Sequence, residues 1–169
     1  MTRFTGFQIR PARPEDADFL APRLREIDQR EAWALARLEP GEALSLSLLR
    51  STRAWTATAG GRAGLMWGVG PLGGLLGFVG SPWLMASDIL EQPEAAREFI
   101  RQSRPGAREL ERGFRRLENR VHAENRPAMR WLKWLGFSFA PEPENLNGEF
   151  FYAFWKDCQE RKGDFICVP

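Results

Sequence analysis

Residues 117–137 constrain this chain most. Leu117, Asn119, Val121 and Ala123 alternate with Glu118, Arg120 and His122, which spacing predicts a strand. Asn125-Arg126-Pro127 then starts a helix, because Asn is a favoured N-cap and proline is tolerated in a first turn. Ala128, Trp131, Leu132 and Leu135 recur at i, i+3, i+4 and i+7 as its inner face, and Gly136 stops it. The chain leaves through Phe137-Ser138-Phe139 as another strand. A strand fed into a helix with both ends marked, then into a strand, requires a sheet with helices packed on it.

The rest of the chain fits that frame. Residues 7–10 alternate as a short strand stopped by Pro11, and Arg13-Pro14-Glu15-Asp16 opens a helix with Ala17, Leu20, Leu24 and Ile27 inward and a kink or late start at Pro22. A second helix over residues 42–51 turns Leu44, Leu48 and Leu49 inward. Residues 55–58 and 63–69 are strands joined by Gly60-Gly61, a hairpin turn. Gly68, Gly70, Pro71, Leu72, Gly73, Gly74, Leu75, Leu76 and Gly77 predict a flexible connection to a strand over residues 78–84, in which Pro82 marks a bulge or an edge. Residues 93–114 are helical, kinked at Pro105-Gly106, with Ala96, Phe99, Ile100, Ser103, Ala107, Leu110 and Phe114 on one face. Residues 150–155 close the sheet. Hairpins first and two right-handed βαβ units afterwards make an α/β (α+β) mixed sheet, of about seven strands flanked by about four helices.

Composition narrows the function classes. The 169 residues include seven Trp and twelve Phe, are 43% hydrophobic and carry a net charge of +2. That is enough apolar material for one core without staples, and no global attraction to nucleic acid, which is not expected as a partner. Cys158 and Cys167 alone make neither a disulfide framework nor a zinc site, so no metal is expected and a reduced, intracellular protein is. His122 is the single histidine, which excludes mechanisms needing two imidazoles. No apolar run reaches the roughly 18–20 residues of a membrane span, and residues 1–10 are too short and polar for a signal peptide.

Asn125-Arg126-Pro127-Ala128 running into Trp131-Leu132-Lys133-Trp134-Leu135-Gly136-Phe137, with the opening Arg10-Pro11-Ala12-Arg13-Pro14-Glu15-Asp16, resembles the GNAT family of acyl-CoA N-acyltransferases over about residues 7–155. A narrower resemblance rests on the Trp131–Phe137 motif, Arg116-Leu117-Glu118-Asn119 and Gly80-Ser81-Pro82-Trp83-Leu84. It is to the GNAT-like proteins of tailed phages and prophages, a group similar to an internal virion protein of short-tailed phages needed for particle assembly. The resemblance implies a GNAT-like domain over residues 1–156, with residues 157–169 as an extension. It also implies acetyl-CoA between the fourth and fifth strands. The pantetheine amides would pair with the backbone of Phe78, Val79, Gly80 and Ser81, and Asn125 would orient the cofactor arm. The acceptor is then a protein or a small amine; in the phage reading the partners are virion proteins, in the bacterial cytoplasm or the particle.

The chain departs from the family at two places. Family members hold the cofactor pyrophosphate on a Gln/Arg-x-x-Gly-x-Gly/Ala loop, whose backbone N–H groups cradle phosphate. Here the loop reads Gln92-Pro93-Glu94-Ala95-Ala96-Arg97: no glycine, one N–H lost to proline, and a carboxylate facing the anion. Family enzymes also place a Tyr seven residues after the motif Asn as general acid, where this chain has Leu132. Glu118 and His122 are the nameable acid/base pair; otherwise they belong to a polar row on the fifth strand. Acetyl transfer is therefore expected to be weak or absent. The alternative is a non-catalytic assembly protein that uses the fold for protein–protein contacts. The arginines from Arg97 to Arg115 form either a solvated face or a docking stripe for phosphate or an acidic partner. Trp131 belongs to the core side of its helix and Trp134 to its margin, where an exposed Trp suits an interface.

Overall fold

The computed structural model describes residues 4, 6–73 and 77–158. Leu75, Leu76, Cys167 and the extension beyond residue 158 lie outside the described residues. The strands are β1 (Gln8–Pro11), β2 (Arg53–Ala59), β3 (Arg62–Pro71), β4 (Val79–Ala86), β5 (Arg116–His122), β6 (Ser138–Phe139), β7 (Glu144–Leu146) and β8 (Glu149–Asp157). The helices are α1 (Pro14–Leu20), α2 (Glu26–Ala36), α3 (Pro40–Arg50), α4 (Pro93–Glu111) and α5 (Arg126–Trp134). All strands join one sheet in the order β1-β2-β3-β4-β5-β8-β6, with β7 paired to β8. Among the described residues only β4 and β5 pair in parallel, across the α4 connection; the other pairs are antiparallel. The mixed sheet expected from the sequence is present.

Both faces of the sheet are covered. On one, Val69, Leu117, Val121 and Phe154 pack with Ala107 of α4, Leu132 of α5 and Leu135 just after it. On the other, Met66 packs with Ala17 and Leu20 of α1 and Leu44 of α3. Burial of such side chains contributes about 1.5–3 kcal/mol each and is the main force holding the layers together.

Several local expectations need correction. Pro22 does not kink one helix but separates two: α1 ends at Leu20, a tight turn spans Ala21–Arg23, and α2 begins afresh at Glu26. In α2 the buried positions are Asp28 and Ala34, while Ile27 is half-buried. On α3 Leu44 is fully buried but Leu49 is 81% exposed, because five residues turn a helix about 140° past a full turn. On α4 Ala95 takes a buried place while Ile100 is 42% exposed. Pro105 sits inside α4 on its solvent side, where a carbonyl left without its helical N–H donor is least costly. Gly68 and Gly70 belong to β3, not to a flexible connection: a Cβ at Gly70 would lie 2.3 Å from the Arg50 carbonyl oxygen, so glycine here permits close approach of the backbone. The eighth strand, β7, forms within the loop after Pro141 and turns back through Asn147 and Gly148, both at positive φ. In the second βαβ unit β8 lies between β5 and β6 rather than beyond them.

No helix among the described residues is long and apolar enough to cross a membrane.

Candidate functional site

β4 and β5 pair at Val79↔Arg116 and Gly80↔Leu117 and then part. The strand chemistry favours parting there. Ser87 N–H donates to the Gly64 carbonyl and Leu72 N–H to the Val79 carbonyl, so by antiparallel alternation the rungs at even-numbered β3 residues carry the hydrogen bonds. Val69↔Pro82 is an odd rung, so the nitrogen of Pro82 faces the β5 side, where no ladder bond is lost. Proline thus marks an edge, as the sequence suggested; the register shows no bulge.

Pro82, Leu84 and Ala86 turn their peptide groups into the gap. Asn119 Nδ2 donates to the Pro82 carbonyl at 2.7 Å. Ala86 N–H donates to Asp28 Oδ2 at 3.0 Å, and Arg25 N–H donates to the Ala86 carbonyl at 3.0 Å. Asp28 is buried and held by Arg25 through two bonds of 2.9 and 2.8 Å. Leu84 carries the remaining N–H and C=O of this edge.

Through the gap runs a cavity of about 460 Å³ that reaches helices on both faces of the sheet. Its walls are mostly apolar, with Trp67, Trp83, Leu84, Phe99 and Trp131 among the lining residues, and Glu31 of α2 supplies a carboxyl group. Trp83 and Trp131 are oriented by bonds from their indole N–H to Ser51 Oγ and Ser103 Oγ.

Glu31 accepts two bonds on one oxygen, Oε1: from the backbone N–H of His122 at 3.1 Å and from Asn125 Nδ2 at 3.0 Å. Burial pushes its carboxyl above the ordinary carboxylate range; the Asn125 bond opposes this, and the Asp28 charge adds to it. Glu31 is half-buried and lines the cavity. His122 is 1% exposed, with its ring edge-on to Phe151. Glu124 N–H donates to His122 Nδ1 at 3.1 Å, which leaves the proton of the neutral ring on Nε2, and that atom bonds Glu149 Oε2 at 2.8 Å. The Glu149 carboxyl is held below its ordinary range by the His122 bond and by Arg30, against some desolvation.

The residues singled out from the sequence fall in three places. Phe78, Val79, Gly80 and Ser81 lie at the closed end of the gap: the Phe78 carbonyl accepts from Arg115 N–H, Val79 and Gly80 pair with β5, and Ser81 pairs with Gly70. Asn125 lies at the cavity, but its amide is already used, Oδ1 accepting from Ala128 N–H and Nδ2 donating to Glu31. Glu118 and His122 are not brought together: Glu118 lies beside Arg116, and the carboxylates bound to His122 are Glu149 and Glu31. Asp28, Glu31 and Glu149 escaped sequence reasoning. The signal for α2 was present, since residues 26–36 hold good helix formers with no Gly or Pro.

At the start of α4, Pro93 is in the first turn and Glu94 is exposed there, paired with Arg97 at 3.4 Å. Arg101 is tied to Glu98, and Asp88 and Glu91 lie in the turn just before the helix.

No family model matches the sequence, and no curated protein matches it. Solved structures do. The yncA protein of Salmonella typhimurium, whose structure holds its cofactor acetyl-CoA, is 13% identical, with a TM-score of 0.64 over 96% of this chain and 100% of that one. A ribosomal-protein-alanine N-acetyltransferase from Brucella melitensis is 14% identical, with a TM-score of 0.64 over 89% of this chain and 99% of that one. AAC(6')-Ib, solved with ribostamycin and coenzyme A, is 12% identical, with a TM-score of 0.61 over 90% of this chain and 93% of that one.

The fold is the GNAT acetyltransferase fold. Within that fold the parting of β4 and β5 is the feature that creates a through-sheet cavity here, and α2 is the element that brings a carboxyl group to it.

Proposed function

We propose that this chain is a GNAT-like protein of phage or prophage type, built on the plan of an acyl-CoA N-acyltransferase, whose acetyl transfer is weak or absent. The observation that carries this reading is the state of the open β4 edge. An extended amide arm binds such an edge by exchanging hydrogen bonds with its peptide groups. Here Pro82 offers no N–H and its carbonyl is taken by Asn119, while both peptide groups of Ala86 are taken by Asp28 and Arg25. Freeing Ala86 would unseat a buried carboxylate that is bonded on both sides, a costly change. The start of α4 adds to this: Pro93 removes an N–H donor, Glu94 sets a carboxylate where a diphosphate would sit, and Arg97 and Arg101 are engaged with neighbouring glutamates. The residues present do not fit the coenzyme A diphosphate. The phage or prophage assignment is supported by the motifs of residues 80–84, 116–119 and 131–137.

The test is calorimetric titration of the protein with acetyl-CoA. No saturable heat at millimolar cofactor is expected; saturable binding, with the diphosphate placed at the start of α4, would overturn the reading.

A second reading, a non-catalytic virion structural or assembly protein, is favoured by Trp134. It lies on the motif helix, is 44% exposed and carries the Arg104 guanidinium 4.4 Å above its ring. An aromatic–arginine pair on the surface is the kind of anchor that protein interfaces use. Co-purification with particle proteins, lost on Trp134→Ala, would support it.

A further inference from the structure

We infer that the outer face of α4 and α5 docks an acidic polypeptide segment, with Arg104, Arg108, Arg130 and Lys133 as its counter-ions and Trp134 as its apolar anchor. This names the chemistry of the partner in the assembly reading above, and it rests on that reading for the idea that the surface makes protein contacts.

The charges of the two helices divide into paired and unpaired. On α4, Glu94, Glu98 and Glu109 pair with Arg97, Arg101 and Arg112, and Glu111 pairs with Lys156. Arg104 and Arg108 have no carboxylate partner among the described residues. α5 carries Arg126, Arg130 and Lys133 and no carboxylate, and no ion pair among the described residues reaches these three. All five side chains are exposed. The helices are fixed beside each other: the Trp131 indole N–H donates to Ser103 Oγ at 2.9 Å, and the Phe99 and Trp131 rings stand 5.1 Å apart. Uncompensated positive charge is thus gathered on one preformed face, which a partner can meet at little ordering cost.

Trp134 selects the kind of anion. Its ring, 44% exposed, carries the Arg104 guanidinium at 4.4 Å. Stacking fixes the guanidinium plane and leaves its in-plane N–H groups to meet a carboxylate. Nucleotide bases would need several open ring faces, whereas Trp134 is the one exposed aromatic of the two helices and one of its faces is covered. A lipid surface would need an apolar stripe, and Ile100 is the only other large exposed apolar side chain on α4 or α5. Cations around a single anchor suit an acidic segment that carries an apolar side chain. The face is also clear of the β4–β5 gap, since Arg104 lies about 15 Å of helix beyond Glu94.

The experiment measures fluorescence anisotropy of a labelled Glu-rich peptide of about sixteen residues, with Leu at every fourth position, titrated with the purified full chain. Saturable binding is expected, about tenfold or more tighter than for the same peptide with Gln in place of Glu, and weaker as salt rises. Arg104→Glu with Arg130→Glu is expected to weaken it about tenfold or more. Arg23→Glu with Arg50→Glu makes the same change of net charge on the opposite face of the sheet and is expected to stay within about twofold of the parent. No saturable binding, equal affinity for the Gln peptide, or equal loss in the two double variants would each overturn the inference. A single-stranded DNA, or vesicles of phosphatidylglycerol, bound more tightly than the peptide and lost in Arg104→Glu with Arg130→Glu would give the face to another partner and overturn it too. Because the chain is purified and the probes are synthetic, failure here removes the acidic partner alone, whereas failure of co-purification removes the assembly reading.

Discussion

Asn119 on β5 reaches across the gap to Pro82 on β4, its Nδ2 donating to the proline carbonyl at 2.7 Å. The two strands diverge, yet a side chain restores one of the bonds their backbones give up. Asp28 does the same for Ala86 from the other face of the sheet. The gap that defines the fold is thus partly satisfied from within the molecule.

Asn119→Ala leaves the Pro82 carbonyl without its donor. Losing that bond should cost about 1 kcal/mol, which in a chain of this size lowers Tm by roughly 2–4 °C. Differential scanning calorimetry reads it directly, and an unchanged Tm would show that water replaces the amide without loss.

Leu44 and Leu49 share a helix but not a fate. Leu44→Ala removes a fully buried side chain from the α1–α3 core and should cost about 2–5 kcal/mol, whereas Leu49→Ala, at an 81% exposed position, should stay within about 0.5 kcal/mol of the parent. Urea unfolding of the two variants separates them.

Asp16 and Glu31 should give stability opposite dependences on pH. Burial alone would raise the Asp16 carboxyl, but bonds from Arg10, Thr56 and the Arg13 N–H outweigh it and hold the group below its ordinary 3.8. Its stabilisation is therefore present above that value and lost as pH falls through the lower, folded-state one. Asp16→Asn should remove about 2 kcal/mol or more at pH 7 and flatten the acid limb of the stability curve. Glu31 is raised above its ordinary 4.5, so the folded state holds this proton more tightly than the unfolded chain. Stability from this group is lost as pH rises from 4.5 through the folded-state value, and Glu31→Gln should be more stable than the parent at pH 7. Chemical denaturation from pH 3 to pH 8 tests both.

His122 is the single histidine, so its imidazole nitrogens give unambiguous NMR signals. The proton should reside on Nε2, since Nδ1 accepts from Glu124 N–H. Glu149→Gln should shift the Nε2 resonance, because that atom bonds Glu149 at 2.8 Å, and Glu118→Gln should leave it in place. The opposite pattern would restore the pairing suggested by strand alternation.

Much of the architecture was legible in residue spacing. The Asn125 cap, the inner face of α5 and the Gly136 stop are local signals, and each sits where the sequence puts it. The Pro82 edge was also readable, since a missing N–H is a property of the residue itself. Faces were less legible. Leu49 is as apolar as Leu44, and only the neighbours present on one side of α3 distinguish them. Strand alternation put Glu118 and His122 on one face, but it could not show that β8 would enter beside β5 and deliver Glu149.

The sequence by itself determined the elements, their order and the strand break at which a gap could open, because capping, periodicity and proline act over a few residues. Tertiary structure alone decided what fills that gap. Asp28 and Glu31 lie far from Ala86, His122 and Asn125 along the chain, and their contacts exist only because α2 packs over the parted strands. Whether a carboxylate stays in water or becomes the charged wall of an apolar cavity depends on that packing, which no local pattern encodes.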